Sequence, residues 1–246
     1  MPGLTYGGYK TQIAQMAVVA EDDTNFLAIL PMMLNYAELR ICRDLDLMFT
    51  SVSLHGSAYQ LTAGNRNLSF PQNLPDGTSF VVSEQINLIL GGGNNPDAGD
   101  RVPLMPTTKE FLDAVYGSAS YQGQPKYFVP FNETLFFVGP TPDASYPVEV
   151  VGCIRPATLY DPADPTNVTF ISQYLPDLLV MASMIYISAY QRNFGKESDD
   201  PQMAMSYETQ YQLLLKSAGV EENRKKWDAA AWSSQSPATV ATPTRG

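Results

Sequence analysis

Apolar residues recur at helical spacing in two long stretches of this chain, one near each end. In residues 31–45 they come three or four positions apart, which is typical of one buried helical face: Leu34, Ala37, Ile41 and Leu45. Residues 176–194 leave no polar face, so they predict a helix that is buried on every side. Pro31 is placed at the first helical position, where its missing N–H breaks no hydrogen bond.

Two further stretches predict helices of the same bundle. Residues 10–19 have a modest helical pattern. Another main helix is predicted to start at Pro201, because Asp199 and Asp200 suit a helix cap and proline suits the first turn. Its apolar positions again come three or four apart: Ala204, Tyr207, Tyr211, Leu214 and Ala218. Helices with matching stripes are expected to pack as a bundle.

Between these helices, residues 51–159 change to short apolar runs bounded by Gly, Pro, Asn and Asp. The runs predict short strands at residues 80–82, 86–90, 135–138 and 148–151. Long loops are expected between them. A short helix is expected within this segment, at residues 107–116. The segment therefore predicts a small β-sandwich or an open barrel.

The predicted fold class is α+β. It has a bundle of about three main helices, an inserted antiparallel β-sandwich or open-barrel domain, and an extended C-terminal tail. The predicted boundaries are residues 1–48 for the first helices, 49–160 for the β insert, 161–219 for the later helices and 220–246 for the tail.

Composition and charge narrow the class of protein. The net charge of −10 is the wrong sign for a protein that grips the phosphate backbone of DNA. Nothing before Glu21 resembles a signal peptide, which favours a cytoplasmic origin, and the apolar stretch at 176–194 is interrupted and too short to span a membrane. Cys42 and Cys153 have no CxxC spacing, so core packing is expected rather than a disulfide or a zinc site.

Candidate catalytic residues are few. His55 is the only histidine and has no G-x-S-x-G or H-E-x-x-H motif beside it, and Gly91–Gly93 lack the Lys-Ser/Thr of a phosphate loop. Four glutamates in or beside the β segment offer no pair that stands out by spacing: Glu84, Glu110, Glu133 and Glu149. The sequence therefore predicts a protein that is not an enzyme and has no cofactor and no metal site. A cell-wall hydrolase stays open as a minor alternative.

The chain end and the aromatic content indicate interaction surfaces. Trp227 and Trp232 are the only tryptophans, and residues 233–246 are rich in Ser, Thr, Ala and Pro. One interpretation is a disordered terminus, and the other is a tail whose tryptophans anchor on a partner. The 14 tyrosines and 11 phenylalanines suit protein–protein contact, although core packing explains most of them.

Several segments together resemble the head-to-tail adaptor proteins of short-tailed bacteriophages. The resemblance covers roughly residues 26–215, and the order of its loose motifs is the specific part. The segments are FLAILP at 26–31, AELRICRDL at 37–45, GQPKYF at 123–128, TLFFVGPTP at 134–142, YPVEV at 146–150 and YLPDLL at 174–179.

The resemblance implies a virion protein at the head–tail junction, assembled in the host cytoplasm. It implies a ring of about twelve copies that joins the portal protein to the tail nozzle protein and lets DNA pass without sequence-specific binding. The bundle is expected to form the ring body, the β insert to face the nozzle, and the C-terminal segment to reach the portal. Portal contacts are expected from the end of the chain: Arg224, Lys225, Lys226, Trp227 and Trp232. The main alternative is a tail-associated receptor- or glycan-binding module.

Overall fold

The structure is a computed structural model that describes residues 3–74, 77–91, 96–193 and 201–231. Of residues 96, 191–193, 201–204 and 227–231 it describes the backbone only. The chain divides into two compact units, one of Met1–Met48 with Thr158–Gly246 and one of Phe49–Ala157. The first is helical and the second is rich in strands, so the predicted α+β class is confirmed.

Helix α5 is the centre of the helical unit. The helices of the described residues are α1 (Tyr6–Met16), α2 (Thr24–Asp44), α3 (Lys109–Tyr116), α4 (Phe170–Tyr174), α5 (Pro176–Asn193) and α6 (Pro201–Ala231). Helices α1, α2, α4 and α6 all contact α5, and Leu178, Leu179 and Ala182 on α5 are buried. The absence of a polar face in this stretch is therefore explained by burial against several neighbours. Helix α6 begins at Pro201, as predicted.

The predicted start of α2 is wrong, because Pro31 lies inside the helix. Asp23 caps the helix, and its carboxylate accepts hydrogen bonds of 2.9 Å from the backbone N–H groups of Asn25 and Phe26. The first two turns then bury Phe26 and Leu30. Burying two large apolar side chains contributes about 3–6 kcal/mol, which offsets the cost of about 3 kcal/mol for an interior proline.

The predicted start of the extended tail at residue 220 is also wrong, because α6 continues to Ala231. The helix is held there by Glu222, a buried carboxylate that accepts a 3.1 Å hydrogen bond from the backbone N–H of Met48. Gly219, the last residue before the predicted tail, lies within the helix and is half-buried. The rest of the predicted tail, residues 232–246, lies outside the described residues.

The strands within the described part of the β unit form one larger and two smaller sheets. The strands are β1 (Ser51–Leu54), β2 (Gln60–Leu61), β3 (Asn67–Ser69), β4 (Ser79–Leu90), β5 (Asp100–Pro103), β6 (Met105–Pro106), β7 (Gln122–Gly123), β8 (Tyr127–Pro130), β9 (Leu135–Gly139), β10 (Thr141–Pro142) and β11 (Tyr146–Arg155). The larger sheet is an antiparallel half-barrel of order β1-β11-β4-β5, with β2 also paired to β11. The others have the orders β3-β9-β8-β6 and β10-β7.

Two details of the sheets differ from the sequence expectation. The runs at 80–82 and 86–90 belong to one long strand, β4, which pairs with β11 through two register shifts. Strand β6 pairs with β8, and β10 with β7, in parallel, so the unit is not purely antiparallel. Strand β4 stays continuous because the bulges absorb the change in side-chain direction that its polar middle requires.

The β unit has its own apolar core, with Phe136, Ile86 and Val150 among its most buried side chains. Helix α3, predicted at residues 107–116 and capped by Thr108, packs its buried Leu112 against β9. Gly139 makes this close packing possible, because a Cβ there would lie 2.5 Å from Leu112 Cδ2. Within the described residues, no helix has the length and apolar character needed to cross a membrane.

Candidate functional site

The residues predicted to contact a portal lie in the last turns of α6, and two of the three basic side chains are engaged within the chain. Lys225 Nζ donates to Glu222 Oε1 at 2.7 Å and lies 3.1 Å from Glu221 Oε1. The hydrogen bond to Glu222 is the main reason that the pKa of Lys225 is raised. Lys226 forms an ion pair with Asp46. Arg224 is exposed, the backbone of Trp227 is helical, and Trp232 lies outside the described residues.

Glu222 is the residue here that sequence reasoning missed. It is buried, and it accepts hydrogen bonds from both Met48 N and Lys225 Nζ. A buried carboxylate is stable only when its oxygens are paired in this way. The three residues therefore fix the end of α6 against the residues that follow α2, and they give the basic end of α6 a defined position.

A second polar cluster joins the last turns of α2 to the first half of α6. Arg40 donates two parallel hydrogen bonds to Glu208, of 2.8 and 2.6 Å, and its guanidinium lies 4.3 Å from the ring centroid of Tyr211. Tyr211 in turn donates a 2.7 Å hydrogen bond from its hydroxyl to Asp44. Hydrogen bonding to Arg40 lowers the pKa of Glu208, and burial raises that of Tyr211. We call Arg40, Asp44, Glu208 and Tyr211 the α2–α6 clamp.

Glu38 is a third polar group buried in the helical unit. Its carboxylate accepts a 2.7 Å hydrogen bond from Thr158 Oγ1 and a 2.8 Å hydrogen bond from the backbone N–H of Leu159. Burial raises its pKa, and these two hydrogen bonds partly oppose that effect. The carboxylate therefore holds the segment that re-enters the helical unit after the β insert.

Two helices of this unit also present apolar side chains to solvent. On α2 these are the exposed Ala28, Met32 and Tyr36, with the half-buried Leu39 in the same row, which we call the α2 outer face. On α6 they are Met205, Leu213 and Val220, which we call the α6 outer face. The α2 row is nearly continuous, as in surfaces that pack on a partner, whereas on α6 the exposed Thr209 and Lys216 lie between the apolar side chains.

The glutamates considered for catalysis have separate partners in the β unit. Burial by itself raises the pKa of Glu149, but hydrogen bonds from Asn87 and Ser53 and the nearby Arg101 outweigh it, so the pKa is lowered. A general acid needs the opposite shift. Glu84 accepts from Cys153 Sγ, and Glu133 accepts from Gln72 Nε2.

His55 and Glu110 lie apart from one another in the described part of the β unit. His55 Nε2 lies 3.3 Å from Asp97 Oδ1 at the surface. Glu110 lies in the first turn of α3, where the helix dipole stabilises a carboxylate. Among the residues that the structure describes, no group of three or more His, Cys, Asp and Glu side chains is placed to hold a metal ion.

Apolar side chains exposed on two helices are typical of a protein that packs on partners. Comparison with protein families then identifies the family to which the chain belongs. The family model described as SU10 adaptor protein matches residues 4–241, nearly the whole chain, and the protein belongs to that family. A phage adaptor is a structural component of the virion, which agrees with the resemblance found in the sequence. A search of curated proteins gave no match.

Proposed function

We propose that this protein forms a ring of about twelve copies that joins the portal to the tail nozzle of a phage. The observation that carries the proposal is the match to the adaptor family over residues 4–241. A closed ring needs two different faces on each copy that complement one another. The α2 outer face and the α6 outer face are two different exposed surfaces on separate helices, and this supports the proposal.

The ring would enclose a channel for DNA, and the charge of the chain supports this role. A net charge of −10 gives DNA no salt-dependent attachment, because basic groups create that attachment. We propose that part of this acidic surface lines the channel. A structure of the assembled ring tests the proposal, and acidic side chains found mainly on the outer rim would contradict it.

The C-terminal end of α6 and the residues beyond it would contact the portal. The five residues of this proposed anchor are Arg224, Lys225, Lys226, Trp227 and Trp232. Lys225 and Lys226 already pair with carboxylates of the same chain, so we propose that the tryptophans contribute most of the contact.

The first test is native mass spectrometry of the full chain mixed with the portal ring of the same phage. A complex that adds a full set of copies to the portal supports the adaptor ring. Absence of any complex would redirect attention to the β unit, whose exposed Tyr121 and Phe131 would suit a receptor- or glycan-binding module. A glycan array and a cell-wall hydrolysis assay would then decide between that module and a hydrolase.

The anchor is tested in the full chain with Trp227→Ala and Trp232→Ala. Each substitution is expected to lower portal affinity by about tenfold or more, because a tryptophan anchor contributes at least about 1.4 kcal/mol. Tyr174→Ala is the matched control, since Tyr174 is an exposed aromatic residue on a different helix. If all three variants bind the portal with the same affinity as one another, the anchor proposal is contradicted and the ring proposal is not.

A further inference from the structure

The helical unit has a groove between α1 and the loop that precedes α4. Its volume is about 520 Å³, which is in the range of sites that bind small molecules. Apolar and aromatic side chains make up much of its lining: Tyr6, Leu27, Tyr160, Pro162 and Pro165. Grooves with aromatic and apolar walls are typical binding sites for extended segments in the polyproline II conformation.

Contacts within the chain fix the walls of the groove. The rings of Tyr6 and Tyr160 meet edge to face, with their centroids 5.4 Å apart. The backbone N–H of Gly7 donates a 2.8 Å hydrogen bond to Pro165 O, and this ties α1 to the loop. The groove is therefore formed before anything binds in it, which lowers the cost of ordering on binding.

Acidic groups outnumber basic groups around the groove. Glu21 lines it and is exposed, and Asp22 follows in the chain. Asp161 and Asp164 lie in the loop, where they accept hydrogen bonds from backbone N–H groups. Lys10 also lines the groove and is half-buried. Within the described residues, neither Glu21 nor Lys10 has an ion-pair partner, so both are available to a bound segment.

The sequence beyond α6 has a pattern of three residues. Residues 237–245 read PAT-VAT-PTR, so Pro237, Val240 and Pro243 are three positions apart. Polyproline II has three residues per turn, and this spacing would place the three apolar residues on one side. Arg245 is the one charged residue of 233–246, and its sign is opposite to that of most groups around the groove.

The groove is within reach of the chain that follows α6. Near the end of this helix, Lys225 Nζ lies 5.8 Å from the ring centroid of Phe170. Phe170 follows Pro165 of the groove by five residues, a separation of at most about 18 Å. The twelve positions from Ala231 to Pro243 extend over about 40 Å. Pro243 can therefore reach the groove of its own chain.

We propose that residues 240–245 bind in the groove of the same chain in a polyproline II conformation. Val240 and Pro243 would pack on the apolar lining, and Arg245 would lie beside Glu21. The lysine of the groove would donate to a backbone carbonyl group of the segment, since polyproline II leaves these groups unpaired. The tether favours the same chain over a second copy, because it gives the segment a high effective concentration. The contact forms in the chain alone and depends on neither the ring nor the portal.

The experiment places a photo-cross-linking amino acid at Leu27 of the full chain, in a dilute and equal mixture of ¹⁵N-labelled and unlabelled chains. After irradiation, mass spectrometry is expected to find residue 27 joined to residues 240–246 of the same isotopic form. Cross-links mainly between the two isotopic forms would place the segment of a second copy in the groove. That result, or the absence of any cross-link to 240–246, would overturn the proposal.

A probe outside the groove separates docking from the chance contacts of a tethered segment. Tyr174 is an exposed residue of α4, the helix that begins at Phe170, and it does not line the groove. A probe at Tyr174 is expected to give a yield of cross-links to 240–246 that is lower by about fivefold or more. Equal yields from the probes at Tyr174 and Leu27 would overturn the docking.

Substitutions in the segment test which side of it faces the groove. Val240→Asp and Pro243→Asp each place a charge against the apolar lining, and each is expected to lower the yield from the probe at Leu27 by about tenfold. Ala241→Asp is the matched control, because it adds the same charge on a side that faces away from the lining, and its effect is expected to be much smaller. An equal loss of yield in all three variants would overturn the proposed contact.

A charge exchange tests the position of Arg245. Glu21→Lys is expected to lower the yield by about two- to fivefold, as for an exposed ion pair, and adding Arg245→Glu to the same chain is expected to restore it. If the double variant stays as low as the single one, the placement of Arg245 is wrong. Failure of this contact and failure of the ring are distinguishable. Full portal complexes without the cross-link leave the ring standing, and the cross-link without portal binding leaves the contact standing.

Discussion

Glu38 illustrates how a single buried carboxylate makes stability depend on pH. Burial raises its pKa above the ordinary value of 4.5, so the folded chain keeps this proton to a higher pH than the unfolded chain does. Its contribution to stability is therefore largest below about pH 4.5 and falls as pH rises through the raised pKa. We expect Glu38→Gln to gain free energy of unfolding relative to the native chain as pH rises, measured by urea unfolding between about pH 4 and 7.

A matched variant separates this effect from the titration of the other acidic groups. Glu110→Gln removes a glutamate that is exposed on α3. If the pH dependence of stability is the same in both variants, Glu38 is not the source. Replacement of Glu38 by Ala is a harsher change, because it leaves the backbone N–H of Leu159 buried without its acceptor, at a cost of about 1–3 kcal/mol.

At Val18 the backbone conformation, rather than a charge, affects stability. It follows the C-terminal end of α1 with φ of +54° and its side chain is 88% exposed. Its N–H donates to Gln15 O and that of Val19 to Ala14 O, a helix ending that normally places glycine or asparagine at this position. A β-branched residue there is strained. We expect Val18→Asn to raise the free energy of unfolding by about 0.5–1 kcal/mol in urea.

The control for this prediction is Ala20→Asn, two residues further along the same exposed connection. Its backbone does not have a positive φ, so asparagine there relieves no strain. A stabilisation of equal size at both positions would show that the effect comes from placing a polar side chain in water rather than from the backbone.

Single residues also mark the limit of what the sequence predicts. The basic character of 224–226 is plain in the sequence, but the partners of these side chains are far away along the chain. Lys226 pairs with Asp46, and Glu38 accepts hydrogen bonds from Thr158 and Leu159. Such pairings depend on the packing of helices that no local pattern specifies. The sequence therefore indicated which groups are charged and not which of them are already paired.

At the scale of elements, the α2–α6 clamp joins two helices through the two parallel hydrogen bonds of Arg40 to Glu208 and the single hydrogen bond of Tyr211 to Asp44. Arg40→Lys removes the parallel pair to Glu208 and the contact with the ring of Tyr211. We expect a loss of about 0.5–1.5 kcal/mol in the free energy of unfolding, since lysine cannot reproduce the planar fork and solvent partly screens the pair.

A double-mutant cycle with Glu208→Gln measures the coupling itself. The expected interaction energy is about 0.5–1 kcal/mol and should fall as salt is added. The more exposed pair of Lys109 and Asp113 on α3 serves as the comparison and is expected to couple less. Additive effects of Arg40→Lys and Glu208→Gln would contradict the clamp.

Elements with a strong local pattern were predicted well, and those decided by tertiary packing were not. Periodicity and cap chemistry located the start of α5, the start of α6 and the short helix α3. The passage of α2 through Pro31 depends on the burial of Phe26 and Leu30, which outweighs a local rule. The continuation of α6 beyond Gly219 depends on Glu222 and Met48, which lie on different segments.

At the scale of the whole molecule, the two units have separate apolar cores. The core of the helical unit includes Leu34 and Leu179, and that of the β unit includes Phe136 and Val150. Among the residues that the structure describes, no buried residue belongs to both cores. A core that is not shared lets one unit lose stability while the other keeps it, as independent cooperative units do. The insert can therefore behave as a domain within the chain.

Phe136→Ala tests this independence. The ring of Phe136 stacks on Phe70 in the β core, and its removal is expected to cost about 3–5 kcal/mol. Hydrogen exchange followed by mass spectrometry should then become faster across β4, β9 and β11 while α2 and α5 stay as protected as before. Leu34→Ala is the mirror experiment, with faster exchange expected in the helices only. If either substitution speeds exchange equally in both units, the chain unfolds as one cooperative body, and the β insert cannot loosen or rearrange on a partner without the helical unit doing the same.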